Sequence, residues 1–348
     1  MNTQGMQSGR AGIRASAVGA VRTTVGSVMA RRSPTQRNWR DELLRDSELD
    51  YEIIPVVTDD GATLHVRAYG PADAEPIVLC HGWSCRIEIW NPQINALAGR
   101  YRVIAYDQRG HGRSTLGKRT PSADVLGDDL ATVLDASLRS RKKAVLVGHS
   151  MGGITLMAWA SRHPDQVRRF ASSLLLANTA SGQLAQELNI LSLGSLVPRI
   201  QSTVGKYVVG APVAIPRGIV TRRAFHYVGL APQADKEAVD FCHRIVLSCK
   251  ARARGQWGWA LATLDLTEAV EAMAVPTVVL TGEQDRLTPS VHSLRLAEAL
   301  DRTGMLDKLV VLPGVGHMGN IEAVDAFNDE IVRLRSRRRR PRRLGAAG

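Results

Sequence analysis

Val145-Leu146-Val147-Gly148-His149-Ser150-Met151-Gly152-Gly153 runs from an apolar stretch, through a serine bounded by glycines, into sequence that favours a helix. A Gly-x-Ser-x-Gly string between a buried strand and a helix predicts a tight, strained turn that pushes the serine up to where a substrate can reach it. Side chains at positions 148 and 152 would collide as strand and helix cross. The helix that begins behind Ser150 offers unpaired backbone N–H groups and the positive end of its dipole. The string alone is weak, because glycine and serine are common residues. Its place between a buried strand and a helix gives it weight.

Outward from this turn, short apolar runs alternate with helical patterns. Tyr51–Thr58 and Leu64–Tyr69 read as strands around the turn Asp59-Asp60-Gly61, and Pro76–Cys80, Val103–Tyr106 and Ala144–Val147 as further strands. Ser172–Ala177, Thr277–Thr281 and Leu309–Leu312 continue the series. Helices are expected near Ile87–Leu97, over Val125–Leu138 and from about Met151 to Arg162, with apolar positions three and four apart. The expected fold is α/β, a doubly wound and mostly parallel sheet with helices on both faces and an antiparallel opening pair. The alternation stops between Asn178 and Val275, a span longer than an ordinary crossover needs. A helix is expected there over Lys236–Ala251. Residues 179–270 therefore read as an inserted helical cap on a core of residues 41–178 and 271–332.

A serine hydroxyl is a poor nucleophile without a base. In the order Ser…Asp…His, the acid and the base follow the serine. After Thr277–Thr281 comes Gly282-Glu283-Gln284-Asp285, and after Leu309–Leu312 comes Pro313-Gly314-Val315-Gly316-His317. Both segments fall at C-terminal ends of strands, where doubly wound sheets build their sites. Of nine histidines, His317 is the one that follows the final strand. Ser150 is thus the candidate nucleophile, His317 the base and Asp285 the acid that orients it, with Glu283 in reserve for Asp285. The loop His81-Gly82-Trp83-Ser84 and the helix start supply the candidate oxyanion donors, the backbone N–H groups of Trp83 and Met151. His81 is expected to shape that loop rather than to catalyse.

The net charge of +12 is concentrated at the ends. Residues 1–40 hold seven arginines and no acid, and residues 333–343 hold eight and no acid, which leaves residues 41–332 at −3. The basicity thus sits in an N-terminal arm, 1–40, and a C-terminal tail, 333–348, not on the body, which argues against specific nucleic-acid recognition. Val18, Val21, Val25, Val28 and Met29 would share one face if the arm were helical. Three readings of the arms stand: solvated tails on a cytoplasmic protein, peripheral contact with an anionic membrane, and organelle targeting or export. No apolar run is long enough for a transmembrane helix. Cys80, Cys85, Cys242 and Cys249 match no zinc or redox spacing and are expected as free thiols.

From about residue 50 to residue 332 the chain resembles the α/β-hydrolase superfamily. The resemblance rests on His81-Gly82, the segment Asp107-Gln108-Arg109-Gly110-His111-Gly112-Arg113-Ser114, Gly148–Gly153, Asp285 and His317, in the family's order. It points to the cap-bearing branch of lipases, esterases and haloperoxidase-like enzymes, and implies a structural role for Asp107–Ser114. Related epoxide hydrolases and haloalkane dehalogenases carry Asp at the elbow, where this chain has Ser150. The implied activity is hydrolysis of a small-molecule or lipid carboxylic ester through an acyl-enzyme, with no metal or organic cofactor. The apolar stretch Val204–Ile215 suggests an apolar acyl group, although an ordinary packed interior would read the same way. Thioester hydrolysis, C–C bond hydrolysis and cofactor-free haloperoxidase or perhydrolase chemistry would use the same triad. A non-enzymatic ligand-binding member would be expected to have lost one of its residues.

Overall fold

The computed structural model describes residues 42–138, 142–182, 184 and 215–336. The apolar stripe of the N-terminal arm, residues 204–214 of the apolar stretch in the insertion, and the tail beyond residue 336 lie outside the described residues.

Eight strands form one sheet in the order β1-β2-β4-β3-β5-β6-β7-β8. They are β1 Tyr51–Val57, β2 Thr63–Tyr69, β3 Pro76–Cys80, β4 Arg102–Tyr106, β5 Ala144–His149, β6 Ala171–Ala177, β7 Thr277–Gly282 and β8 Leu306–Leu312. β1 and β2 pair antiparallel, β2 meets β4 antiparallel, and every later pairing is parallel. Pro55, which lacks a ladder donor, is tolerated because β1 is an edge strand.

The central strands are continuous apolar runs because both of their faces are covered. In β5, Ala144 and Leu146 point into a core shared with helices α2 (Ala123–Ser137) and α3 (Met151–Arg162). Val145 and Val147 point into the opposite core, built with α1 (Asn91–Leu97) and the last helix, Val324–Ser336. Helix α2 starts where Ser122 Oγ accepts the Val125 N–H at 3.3 Å. The short helix α4 (Pro164–Phe170) leads into β6.

Between β6 and β7 the described part of the insertion holds three helices: α5 Ile219–Gly229, α6 Lys236–Ser248 and α7 Ala251–Thr263. The single helix expected over Lys236–Ala251 is interrupted. Cys249 and Lys250 are extended, with ψ of 130° and 129°. That break lets α7 set off in a new direction and bury Ala253, Trp257 and Leu261, four residues apart on one face. Trp257 Nε1 donates to the Arg109 carbonyl at 2.8 Å, and Trp83 Nε1 to the Arg254 carbonyl at 2.9 Å, so α7 is bonded to two loops of the core. The ends of the insertion meet. Gly182 bridges Asp265, and Leu266 N donates to Ser181 O at 2.6 Å.

Two helices follow that the sequence reading does not anticipate, α8 (Ser290–Arg302) and, after the single turn α9 (Gly319–Glu322), α10 (Val324–Ser336). The second corrects the boundary of the basic tail. Helix α10 continues through Ser336, and Arg333 bonds Asp307 and Glu330 while Arg335 bonds the Lys143 carbonyl and Glu75. These two arginines therefore belong to the body, because carboxylates and a carbonyl of neighbouring elements satisfy them. Among the described residues no helix is long and apolar enough to cross a membrane. Cys80, Cys85, Cys242 and Cys249 are all free and buried.

Candidate active site

Ser150 occupies the turn between β5 and α3 with φ 54° and ψ −118°. A non-glycine residue there costs on the order of 1–3 kcal/mol, a strain that the surrounding bonds must hold. They do so from both sides: Ser150 N donates to Ala177 O at 2.9 Å, and Thr179 Oγ1 donates to Ser150 O at 2.7 Å. The flanking glycines answer to close approach. A Cβ on Gly152 would lie 1.9 Å from the Cys80 carbonyl oxygen, and one on Gly148 2.4 Å from that of Gly152.

Asp285 follows β7 and His317 follows β8, and the structure joins them. His317 Nδ1 lies 2.9 Å from Asp285 Oδ2 and 3.1 Å from Oδ1. The carboxylate is otherwise fully engaged. Its Oδ1 accepts the N–H groups of Leu287 and Thr288, each at 2.9 Å, and its Oδ2 accepts Thr288 Oγ1 at 2.7 Å and Asn178 Nδ2 at 3.0 Å. Burial pushes the Asp285 carboxyl up, but His317 and the donors from Thr288 outweigh it and hold the group below its usual value. Asp285 is thus ionised over the pH range in which a neutral imidazole can act as a base. Glu283 makes no bond to His317; it accepts the Gly314 N–H at 3.0 Å.

The loop that carries His317 is tied to the Ser150 turn through the residue before Ser150. His149 Nε2 donates to the His317 carbonyl at 2.8 Å, and the two rings lie 5.0 Å apart. Among the described residues the Ser150 hydroxyl makes no hydrogen bond to His317 within 3.5 Å. Such a contact commonly tightens only once substrate is bound.

Trp83 and Met151 come from different elements. Met151 is the first residue of α3, and Trp83 lies in the loop after β3. Among the described residues neither backbone N–H has a protein acceptor. Other nearby imidazoles are consumed by structure. His81 Nε2 accepts the Gln108 N–H at 2.9 Å while Nδ1 bonds Gly82 O at 2.8 Å. His111 accepts the Ser84 N–H and bonds Arg109 O. Burial lowers His81 to about 4, and burial with neighbouring imidazoles lowers His111 and His149 to about 3. In the Asp107–Ser114 segment, Asp107 accepts the N–H groups of Ile87 and Arg113, and Arg109 pairs with Asp129 and Asp60.

Sequence reasoning missed Asn178. It is buried with φ 48°, and its side chain bonds both Asp285 and the Gly316 carbonyl. The one available signal was an Asn directly after a buried strand, among the non-glycine residues that most readily take a left-handed conformation.

A family description of the alpha/beta hydrolase fold matches residues 75–324. The chain is 31% identical over 279 residues to a putative carbamate hydrolase RutD of Variovorax paradoxus, spanning 77% of this chain and 94% of that protein. It is 29% identical over 297 residues to a non-heme haloperoxidase of Rhodococcus erythropolis, spanning 80% and 98%. A bifunctional esterase/perhydrolase DCH of Acinetobacter calcoaceticus is 29% identical over 284 residues, spanning 81% and 99%. Among solved structures, an esterase from Exiguobacterium antarcticum superposes with a TM-score of 0.67 at 19% identity, covering 82% of this chain and all of that one. The match to the family runs through every strand from β3 to β8 and through the segments that carry Ser150, Asp285 and His317, and the chain accordingly belongs to the α/β-hydrolase fold family, as a hydrolase.

Proposed function

We propose that the protein hydrolyses carboxylic esters through an acyl-enzyme on Ser150. The observation that carries this reading is the Asp285–His317 pair, hydrogen-bonded at the ends of β7 and β8, with its loop tied to the residue before a strained serine. Ser150 Oγ attacks the ester carbonyl as His317 Nε2 takes its proton. The carbonyl π pair moves onto oxygen, which the Trp83 and Met151 N–H groups receive. Collapse expels the alcohol, which takes the proton from His317. Water, deprotonated by the same imidazole, then releases the acid and restores Ser150. Asp285 holds the His317 proton on Nδ1 and stabilises the imidazolium. The described part of the insertion supports a role as a cap over the site, since α7 is bonded to Trp83, and an apolar acyl group remains the expected substrate type.

One relative named as an esterase/perhydrolase and others named as haloperoxidases favour a second reaction on the same intermediate. In it, hydrogen peroxide replaces water and a peracid leaves. Ser150→Ala should lower turnover of a 4-nitrophenyl ester by more than about 10³-fold without unfolding, and a fluorophosphonate should label Ser150 in the parent protein. Near-normal esterase activity in Ser150→Ala would refute the mechanism. A panel of ester, thioester and dienoate substrates, run with and without peroxide, separates ester hydrolysis from its rivals.

A further inference from the structure

Glu322 closes the single turn α9, five residues beyond His317, and its carboxylate accepts three backbone N–H groups. Its Oε2 accepts the Gly316 N–H at 3.1 Å and the Ala231 N–H at 2.8 Å, and its Oε1 accepts the Met318 N–H at 3.1 Å. Gly316 and Met318 are the residues on either side of His317. One carboxylate therefore grips the base loop before and after the imidazole. Its third bond reaches Ala231, in the segment that joins α5 to α6.

Two further observations place the same two segments against each other. A Cβ on Gly316 would lie 2.5 Å from Ala231 N and 2.6 Å from Leu230 C, so the backbones touch where only glycine fits. Gln233 Nε2 also donates to the Gly314 carbonyl.

We infer that Glu322 is a positioning residue for His317, fixing the base loop from both sides and linking it to the Leu230–Ala231 segment of the insertion. The inference rests on the reading of His317 as the general base. An ionised carboxylate only accepts hydrogen bonds, which suits three backbone donors, and charge-assisted bonds of this kind are the strong ones. A glutamine cannot reproduce it. With its amide nitrogen at the Oε1 position it confronts the Met318 N–H; at the Oε2 position it confronts those of Gly316 and Ala231. Backbone donors cannot turn away, so the loop must shift. A displacement of about 1 Å in a catalytic group can cost about 10²-fold in rate.

The test compares Glu322→Gln and His317→Ala with the parent enzyme on a 4-nitrophenyl ester. kcat is expressed per active site titrated to completion with a fluorophosphonate, and KM is measured alongside. A purely structural role would reduce the number of titratable sites and leave the rate per site unchanged. The expected result for Glu322→Gln is about 10- to 100-fold lower kcat per titrated site, with KM within about two-fold. If that variant yields no folded enzyme, Glu322→Asp carries the same test, since it keeps the charge but withdraws the carboxylate by one methylene. An inactive His317→Ala beside parental kcat per site in the Glu322 variants would overturn this inference alone. An active His317→Ala would overturn it together with the proposed mechanism.

Discussion

Replacing Asp285 by Asn tests the proposed triad through hydrogen-bond geometry alone, because the two side chains have nearly the same shape. Every bond to the carboxylate comes from a donor, so an amide must turn a donor toward some of them. With its nitrogen at the Oδ1 position it faces the Leu287 and Thr288 N–H groups, two fixed donors. Leaving each unpaired in a buried site costs about 1–3 kcal/mol. At the Oδ2 position it faces three partners that can adapt. The Thr288 hydroxyl can rotate and accept. Asn178 can present its buried, unpartnered Oδ1, at the expense of the bond from its Nδ2 to Gly316 O. His317 can accept at Nδ1 by moving its proton to Nε2. The second arrangement wins, and it leaves His317 in the tautomer that cannot take a proton from Ser150. The expected loss is about 10⁴-fold in kcat, roughly 5 kcal/mol of barrier. Ester turnover gives the rate, and ¹⁵N chemical shifts of the His317 ring give the tautomer. Asp285→Asn with kcat within about ten-fold of the parent and Nδ1 still protonated would refute this account. Glu283→Gln is the control, and little change is expected because among the described residues that carboxylate bonds the Gly314 N–H and not His317.

Arg109→Met should destabilise the fold by about 3–5 kcal/mol in urea titrations, because it strands the buried Asp129 and removes the bridge to Asp60. Burial already holds Asp129 above the usual 3.8 with Arg109 in place. A raised folded-state pKa means that the folded form binds the proton better, so the deficit should be full near neutral pH and shrink as pH falls through that pKa. Removing residues 1–40 and 337–348 should leave turnover of a small soluble ester unchanged while weakening sedimentation with anionic liposomes. Each basic residue near such a surface contributes about 1 kcal/mol. Equal liposome binding by trimmed and intact protein would remove the membrane reading of the arms.

The sheet and the three triad candidates were legible in the sequence for a shared reason: each depends on local pattern and order. A strand buried on both faces must be apolar throughout, and a serine turn needs its glycines beside it. Asn178, Thr288 and Glu322 were not legible, because each acts on groups brought near by the sheet rather than by the chain. Nothing local distinguishes Glu322 from a solvated acid until the Gly316 and Met318 N–H groups turn toward it. The last helix was hidden for a different reason. The spacing of Phe327, Ile331 and Leu334 carried a helical signal, but the arginine run beginning at Arg333 reads as a tail until Glu330 and Asp307 are seen opposite it.

The bridge between Gly182 and Asp265 divides what this molecule can change from what it cannot. A few residues beyond β6 and about a dozen before β7, the outgoing and returning chain meet at one isolated bridge. Outside the Leu230–Ala231 step held by Glu322 and Gly316 and the bonds of α7 to Trp83 and Arg109, the chain between those two points can lengthen or shorten without moving β6 relative to β7. The entropy of closing such a loop rises by only about 0.6 kcal/mol for each doubling of its length. The strand ends that carry Ser150, Asp285 and His317 have no such latitude, since glycines there already touch neighbouring backbone. Inherited variation should therefore accumulate between residues 182 and 265 away from Leu230, Ala231 and the buried face of α7, and leave the ends of β5, β7 and β8 as they are.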